Sequence, residues 1–283
     1  MFSYSLTLPA LKDGQQGRIW IPIAETDPFQ SVELIEKSED IKFKETVDPK
    51  FHNKAWVIEF DKKSAGKKIN FKYRVLRKEK GAHPGPNSQL QIYLEPDLLV
   101  PLDARFKTLA TEITQSQKSD REKGRAIYDY VITLMKYDKT GTGWGRGDAI
   151  YACDVKKGNC TDFHALFIAI ARSAKIPSRF MIGFTIPPEK PEGTIEGYHC
   201  WAEFFADGQW IPIDISEASK HPEAKEYYFG HHPANRFQLT QGRDLVFSTP
   251  NQDGPINFLV HPYLEIQGKS YKLSGEYSFK RTP

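Results

Sequence analysis

The chain has 283 residues, a length that suggests two domains. Its 39% hydrophobic and 27% charged residues are typical of a soluble globular protein, and a formal net charge of +3 predicts neither a nucleic-acid partner nor a membrane-surface partner. Because no apolar run reaches about eighteen residues, no membrane-spanning helix is expected.

The N-terminal segment Met1–Ala10 is too short and too polar for a signal peptide. The chain as given is therefore expected in the cytoplasm. A periplasmic or secreted location would apply if a leader had been removed, so the sequence leaves the compartment unknown.

Residues 1–100 carry short apolar runs that are separated by turn residues. This spacing is typical of a β-sandwich-like domain. The runs that we interpret as strands are Arg18–Ile23, Val32–Glu36, Ile41–Val47, Ala55–Phe60, Ile69–Leu76 and Gln89–Leu94.

The segment Lys67–Lys80 holds seven basic side chains and one acid. A docking face for an anionic polymer, such as a cell-wall component, is one interpretation. We favour a solvated outer face, because charged side chains on one side of a strand are usually exposed.

Two helices are predicted next, over Asp103–Gln115 and Asp120–Tyr137, from apolar residues at helical spacing. The glycine-rich segment Lys139–Gly147 follows them. It lacks the Lys-Ser/Thr pair of a phosphate-binding loop, so a mobile loop that shapes a cleft fits better. Its Trp144 either lines a substrate site, donates to an oxyanion, or simply packs on the surface.

A third helix is predicted from Cys160 to Lys175, and Pro177 ends it. Asn159 is a good N-cap, so Cys160 lies in the first turn, where the helix dipole favours a thiolate. A lone cysteine is usually an unreactive buried residue. The chain has three cysteines, an odd number, and reduced thiols are the simpler interpretation.

Two strands, Tyr198–Phe205 and Gln209–Ile215, flank the dipeptide Asp207-Gly208, a strong hairpin signal. His199 lies eight residues before the turn and Asp214 six residues after it. The antiparallel ladder therefore brings the two side chains within cross-strand or diagonal reach. Trp201 and Glu203 share the strand face of His199.

Other polar residues fit less active roles. His164 lies one helical turn after Cys160 and is interpreted as a hydrogen-bonded core histidine, while Asp162 suits the positive end of the helix dipole. Glu203 is a candidate partner behind His199. The pair His231-His232 has no matching ligands at metal spacing, so we expect neither a metal nor a cofactor.

The C-terminal tail, Ile256–Ile266 and Tyr271–Phe279, is predicted to form strands that complete the sheet of the second domain. The expected domains are therefore residues 1–100 and residues 101–283. The fold class is α+β, with helices packed on an antiparallel sheet after an all-β domain.

Three ordered motifs resemble those of the transglutaminase-like superfamily: Gly158–Arg179, His199–Phe204 and Trp210–Asp214. The resemblance covers about Leu102–Ser219 and implies a papain-like catalytic core. It also implies Cys160 as nucleophile, His199 as base and acid, and Asp214 as orienter of the imidazole. The short chain shows no acidic calcium loop, so it is similar to the compact microbial branch.

The superfamily includes transglutaminases, peptidases, deamidases, amidases and inactive scaffolds. We expect a cysteine-dependent acyl transfer on an amide bond of a protein or peptide, such as a cell-wall peptide, through a thioester. Trp144 and Trp201 are the candidate substrate-binding walls. Trp201 shares the strand face of His199 and could shield the site, but one wall does not form a channel for an amine, so hydrolysis is favoured over cross-linking. The alternatives are a protein-glutamine transglutaminase and a non-catalytic binding scaffold.

Overall fold

A computed structural model describes residues 1–85 and 87–281. Its helices are α1 Ala104–Thr114, α2 Asp120–Leu134, α3 Ala149–Val155, α4 Cys160–Ser173 and α5 Ile215–Lys220. Its strands are β1 Phe2–Thr7, β2 Gly17–Ile23, β3 Gln30–Lys37, β4 Lys44–Val47, β5 Lys54–Phe60, β6 Lys68–Arg77, β7 His83–Pro84, β8 Lys136–Tyr137, β9 Lys157–Gly158, β10 Ser178–Thr185, β11 Glu192–Thr194, β12 His199–Ala206, β13 Gln209–Ile213, β14 Arg236–Gln241, β15 Tyr263–Ile266, β16 Lys269–Tyr271 and β17 Gly275–Lys280.

The chain divides into two compact units. The first comprises Met1–Lys78, Ile182–Tyr198 and Asn235–Pro283, and the second comprises Glu79–Met181 and His199–Ala234. Within the described residues, every helix is too short or too polar to cross a membrane.

The first unit contains two five-stranded antiparallel sheets, in the orders β11-β17-β1-β6-β3 and β16-β15-β2-β5-β4. Strand β6 shows the expected alternation, because Ile69, Phe71 and Tyr73 are buried while Lys72 and Arg74 are exposed. The predicted all-β character of the N-terminal region is confirmed, and so is the exposed face of β6.

One predicted strand in this region is wrong. Gln89–Leu94 lies in a 3₁₀ segment, Asn87–Leu94, instead of a strand. A short apolar run fits the periodicity of a helix as well as that of a strand. In this segment the buried ring of Tyr93 packs edge-on against Trp210, with 5.1 Å between the ring centroids. A strand that the sequence analysis did not include, β1, lies at the start of the chain.

The tail strands complete the first unit rather than the sheet of the second, which corrects the prediction. Strand β17 pairs with β1, with Phe279 opposite Phe2, and β15 pairs with β2, with Tyr263 opposite Trp20. Aromatic rings from the two ends of the chain pack together in each sheet, Phe2 against Tyr277 and Trp20 against Tyr263. The compact units therefore differ from the ranges 1–100 and 101–283, because strands from both ends of the chain share sheets.

The second unit is built around α4, whose residues Cys160–Arg172 are all buried. Helix α1 agrees with its predicted segment, and α2 begins at Asp120 as predicted but ends at Leu134, because Lys136 and Tyr137 form strand β8. The β12–β13 hairpin turns at Asp207 and Gly208, both with positive φ, and pairs Phe205 with Trp210 and Ala202 with Ile213. Helices accompany antiparallel strands here, so the predicted α+β class is confirmed.

Candidate active site

Cys160 is the first residue of α4, and its side chain is almost wholly buried, with 2% of the residue exposed. The Asn159 side chain caps the helix by accepting from the Thr161 backbone N–H at 3.0 Å. Asp162 completes a capping box, since its carboxylate accepts from the Asn159 N–H at 3.0 Å. The positive end of the helix dipole therefore lies at the Cys160 thiol.

Asp162 has a second role that the sequence analysis missed. Its carboxylate also accepts from the backbone N–H groups of Gly145 at 2.7 Å and Gly147 at 3.1 Å. The side chain is packed so closely that a Cβ on Gly158 would lie 2.3 Å from its oxygen. Burial raises the pKa of Asp162 against the effect of these bonds. The Asp162 carboxylate thus connects the glycine-rich loop with the start of α4 through hydrogen bonds.

His199 and Asp214 meet at the open end of the hairpin, as the residue count predicted. The His199 Nε2 atom lies 2.7 Å from Asp214 Oδ2. Strand β13 ends at Ile213 instead of Ile215, because Asp214 is the N-cap of α5. Donation from Nε2–H to the carboxylate leaves the other ring nitrogen available to a thiol.

Several donors hold the Asp214 carboxylate in place. Its Oδ1 atom accepts from the Glu217 N–H at 3.1 Å and from the Ser216 hydroxyl at 3.1 Å, and the residue is fully buried. A buried carboxylate with this many donors is satisfied as an anion. It can therefore fix both the orientation and the tautomer of the His199 ring.

The environment of Cys160 favours a thiolate. Burial alone would raise the pKa of the Cys160 thiol, but hydrogen bonds from the Cys200 and His199 side chains and the charge of His199 outweigh it. The pKa of Cys160 consequently lies well below its ordinary value. The pKa of Cys200 lies well above its ordinary value, through burial and then through Cys160, so Cys200 stays protonated as a donor.

His164 is a buried, hydrogen-bonded histidine, in agreement with its interpretation from sequence. Its Nδ1 atom lies 2.7 Å from the Cys160 carbonyl oxygen, and its Nε2 atom accepts from the Ile215 N–H at 3.1 Å. Burial lowers the pKa of His164, so the ring is neutral. Both of its ring nitrogens are engaged by the backbone.

The two tryptophans predicted to bind substrate lie in different environments. Trp144 is half-buried in the glycine-rich loop, and its indole N–H donates to the Gly141 carbonyl at 3.2 Å. Trp201 is fully buried between the rings of His199 and His232. Trp201 therefore presents no surface to a substrate in this conformation, and the binding role of Trp144 stays a prediction.

Glu203 does not act as the partner of His199. Its buried carboxylate pairs with Lys80 Nζ at 2.8 Å and with the Arg179 guanidinium, and His83 Nε2 lies 3.4 Å away. Burial would raise the pKa of Glu203, but the charges of Arg179 and Lys80 hold it well below its usual range. Lys80 is buried as well, so it is an exception to the solvated face that was predicted for Lys67–Lys80.

Part of the chain matches a known protein family. The model of the transglutaminase-like superfamily matches residues 107–215. An uncharacterised protein of Haemophilus influenzae is 24% identical over 98% of this chain and 88% of its own length. The uncharacterised protein YebA of Bacillus subtilis is 26% identical, over 43% of this chain and 18% of its own length.

A similar solved structure is that of a protein from Cytophaga hutchinsonii described as a candidate cysteine protease. It aligns with 99% of this chain and 90% of its own chain, with a TM-score of 0.60 and 15% sequence identity. At that identity the likeness concerns the fold alone. With the family match, it confirms the predicted fold class, an α+β protein with a transglutaminase-like core.

Proposed function

We propose, on the premise that residues 107–215 match the model of the transglutaminase-like superfamily, that the protein is a cysteine-dependent acyl-transfer enzyme acting on amide bonds. The observation that carries the proposal is the arrangement around Cys160. Cys160 stands at the N-terminus of α4, His199 lowers the pKa of its thiol, and the His199 Nε2 atom lies 2.7 Å from the buried carboxylate of Asp214.

In the proposed mechanism, the Cys160 thiolate attacks the amide carbonyl and forms a tetrahedral intermediate. The backbone N–H of Cys160, at the start of α4, stabilises the developing oxyanion. His199 then donates its proton to the leaving amine, and a thioester remains on Cys160. Asp214 keeps the imidazole in the required tautomer and stabilises its charged form.

The thioester passes to water in a peptidase, amidase or deamidase, and to an amine in a cross-linking enzyme. Bulk water is present at about 55 M, so transfer to an amine needs positioning with an effective molarity on the order of 10⁵ M. Trp201 is buried, and the Trp144 indole N–H bonds within its own loop. Neither side chain supports an amine channel, so we favour hydrolysis of a protein or peptide amide.

The test of this preference is a glutamine-containing peptide incubated with the protein, with and without a primary amine. We expect hydrolysis to the free acid of the peptide to dominate even when the amine is present at millimolar concentration. The reason is that no amine channel shields the thioester from water. Mass spectrometry of the peptide measures both products, and the Cys160→Ser variant is the control. A dominant amine adduct would support the transglutaminase alternative.

A non-catalytic binding scaffold is the second candidate function, since the superfamily fold can persist without turnover. The environment of Cys160 argues against it. A scaffold has no need of a buried thiol whose pKa is held well below its ordinary value by His199 and Cys200. Reactivity of that thiol separates the two functions without knowledge of the substrate.

A further inference from the structure

The imidazole of His164 lies beneath the candidate active site and joins two of its elements. It is fully buried, one helical turn after Cys160 in α4. One ring nitrogen lies 2.7 Å from the carbonyl oxygen of Cys160, and the other accepts from the N–H of Ile215, the first residue of α5, at 3.1 Å. A single side chain thus connects the backbone of the nucleophile with the residue that follows Asp214.

The hydrogen bonds determine the tautomer of this ring. A carbonyl oxygen only accepts and a backbone N–H only donates, so Nδ1 carries the proton and Nε2 carries the lone pair. A second proton on Nε2 would face the Ile215 N–H and break the link. Burial lowers the pKa of His164, which favours the neutral form of the ring that the link needs.

The other groups of the site lie close to the same ring. The Cys200 sulfur is 3.6 Å from Nδ1, and Asp214 Oδ1 is 3.9 Å from Nε2. Cys200 and His199 in turn lower the pKa of the Cys160 thiol. A shift of His164 would therefore change the relative positions of the thiol and of the carboxylate that orients His199.

We propose that His164 is a positioning residue, which fixes the start of α4 relative to the start of α5 and so holds Cys160 in register with the His199–Asp214 pair. The inference rests on the proposed function and adds a residue that does not touch the reacting atoms. Small displacements in a catalytic geometry have large effects on rate, so this link is expected to influence thiolate formation.

The variants His164→Asn and His164→Gln each keep one of the two hydrogen bonds that His164 makes with the backbone. An asparagine amide nitrogen takes the place of Nδ1 and keeps the donation to the Cys160 carbonyl. A glutamine amide oxygen takes the place of Nε2 and keeps the acceptor for the Ile215 N–H. His164→Leu removes both bonds. Ile168→Ala is the matched control, because it removes a buried side chain one turn further along α4.

The readout is the rate at which iodoacetamide alkylates Cys160 at each pH, followed by mass spectrometry on the folded full chain, with a thermal melt for each variant. We expect His164→Leu to raise the apparent pKa of Cys160 by about one unit, which makes alkylation at mildly acidic pH about tenfold slower. The Asn and Gln variants should fall between it and wild type. If His164→Leu fails to fold, the Asn and Gln variants provide the test instead.

An unchanged alkylation profile in all His164 variants would overturn the proposal. So would an equal shift in Ile168→Ala, because general loosening of α4 would then explain the result. A wild-type protein with an ordinary thiol profile would instead contradict the proposed function, so the two failures are distinguishable.

Discussion

Replacing His199 by alanine should lower turnover by about 10⁴- to 10⁶-fold, because in the proposed mechanism the thiol loses its base and the leaving amine loses its acid. His199 hydrogen-bonds the Cys160 sulfur and pairs with Asp214 at 2.7 Å. The fold should survive, since His199 is the first residue of β12 and the loss of its side chain removes no backbone pairing. Steady-state rates with a cleavable peptide, beside a circular dichroism spectrum, provide the measurement.

Two other histidines serve as comparisons for this variant. His221→Ala removes an exposed imidazole that faces Glu223, and it should leave turnover unchanged. His164→Ala should reduce the rate less than His199→Ala, because His164 positions the site without touching the reacting atoms. If His164→Ala abolished activity while His199→Ala retained it, the assignment of the base would be wrong.

The change Asp214→Asn should lower kcat on the order of 10⁴-fold and leave KM almost unchanged. The new amide nitrogen would face Nε2 of His199 as a donor, and this would move the ring proton to Nδ1, the nitrogen needed for the thiol. The amide oxygen can still accept from the Glu217 N–H, so the cap of α5 is kept.

Ser216→Ala is the matched control for Asp214→Asn. It removes one donor to the same carboxylate, at 3.1 Å, without changing the carboxylate itself. We expect a decrease in kcat of less than about tenfold, the cost of one hydrogen bond of about 1 kcal/mol. If kcat decreased no more in Asp214→Asn than in Ser216→Ala, the proposed role of Asp214 in orienting the His199 ring would be wrong.

Local chemistry made much of the site predictable from sequence. Asn159 caps α4 because its side chain suits an N-cap, and Asp207-Gly208 sets the register of the hairpin because both residues tolerate positive φ. With that register fixed, counting along the ladder places His199 beside Asp214. Each of these steps needs only neighbours in sequence.

Interactions between distant segments were not predictable. The partners of Glu203 include Lys80, more than a hundred residues earlier, and the tail strands pair with the first strands of the chain. Strand alternation places Cys200 on the face opposite His199, yet both hydrogen-bond the Cys160 sulfur. No local pattern encodes these choices, because they depend on which surfaces meet when the chain is folded.

The most direct test of the central claim is competition among the three thiols for iodoacetamide. Burial raises the pKa of Cys153, and burial together with Cys160 raises the pKa of Cys200, whereas the pKa of Cys160 is lowered. A thiol with a lowered pKa stays ionised as the pH falls until the lowered value is passed. In the folded protein at mildly acidic pH, we therefore predict that peptide mapping finds the label on Cys160 first, and that His199→Ala removes this preference. Equal labelling of all three cysteines would contradict an activated nucleophile at Cys160.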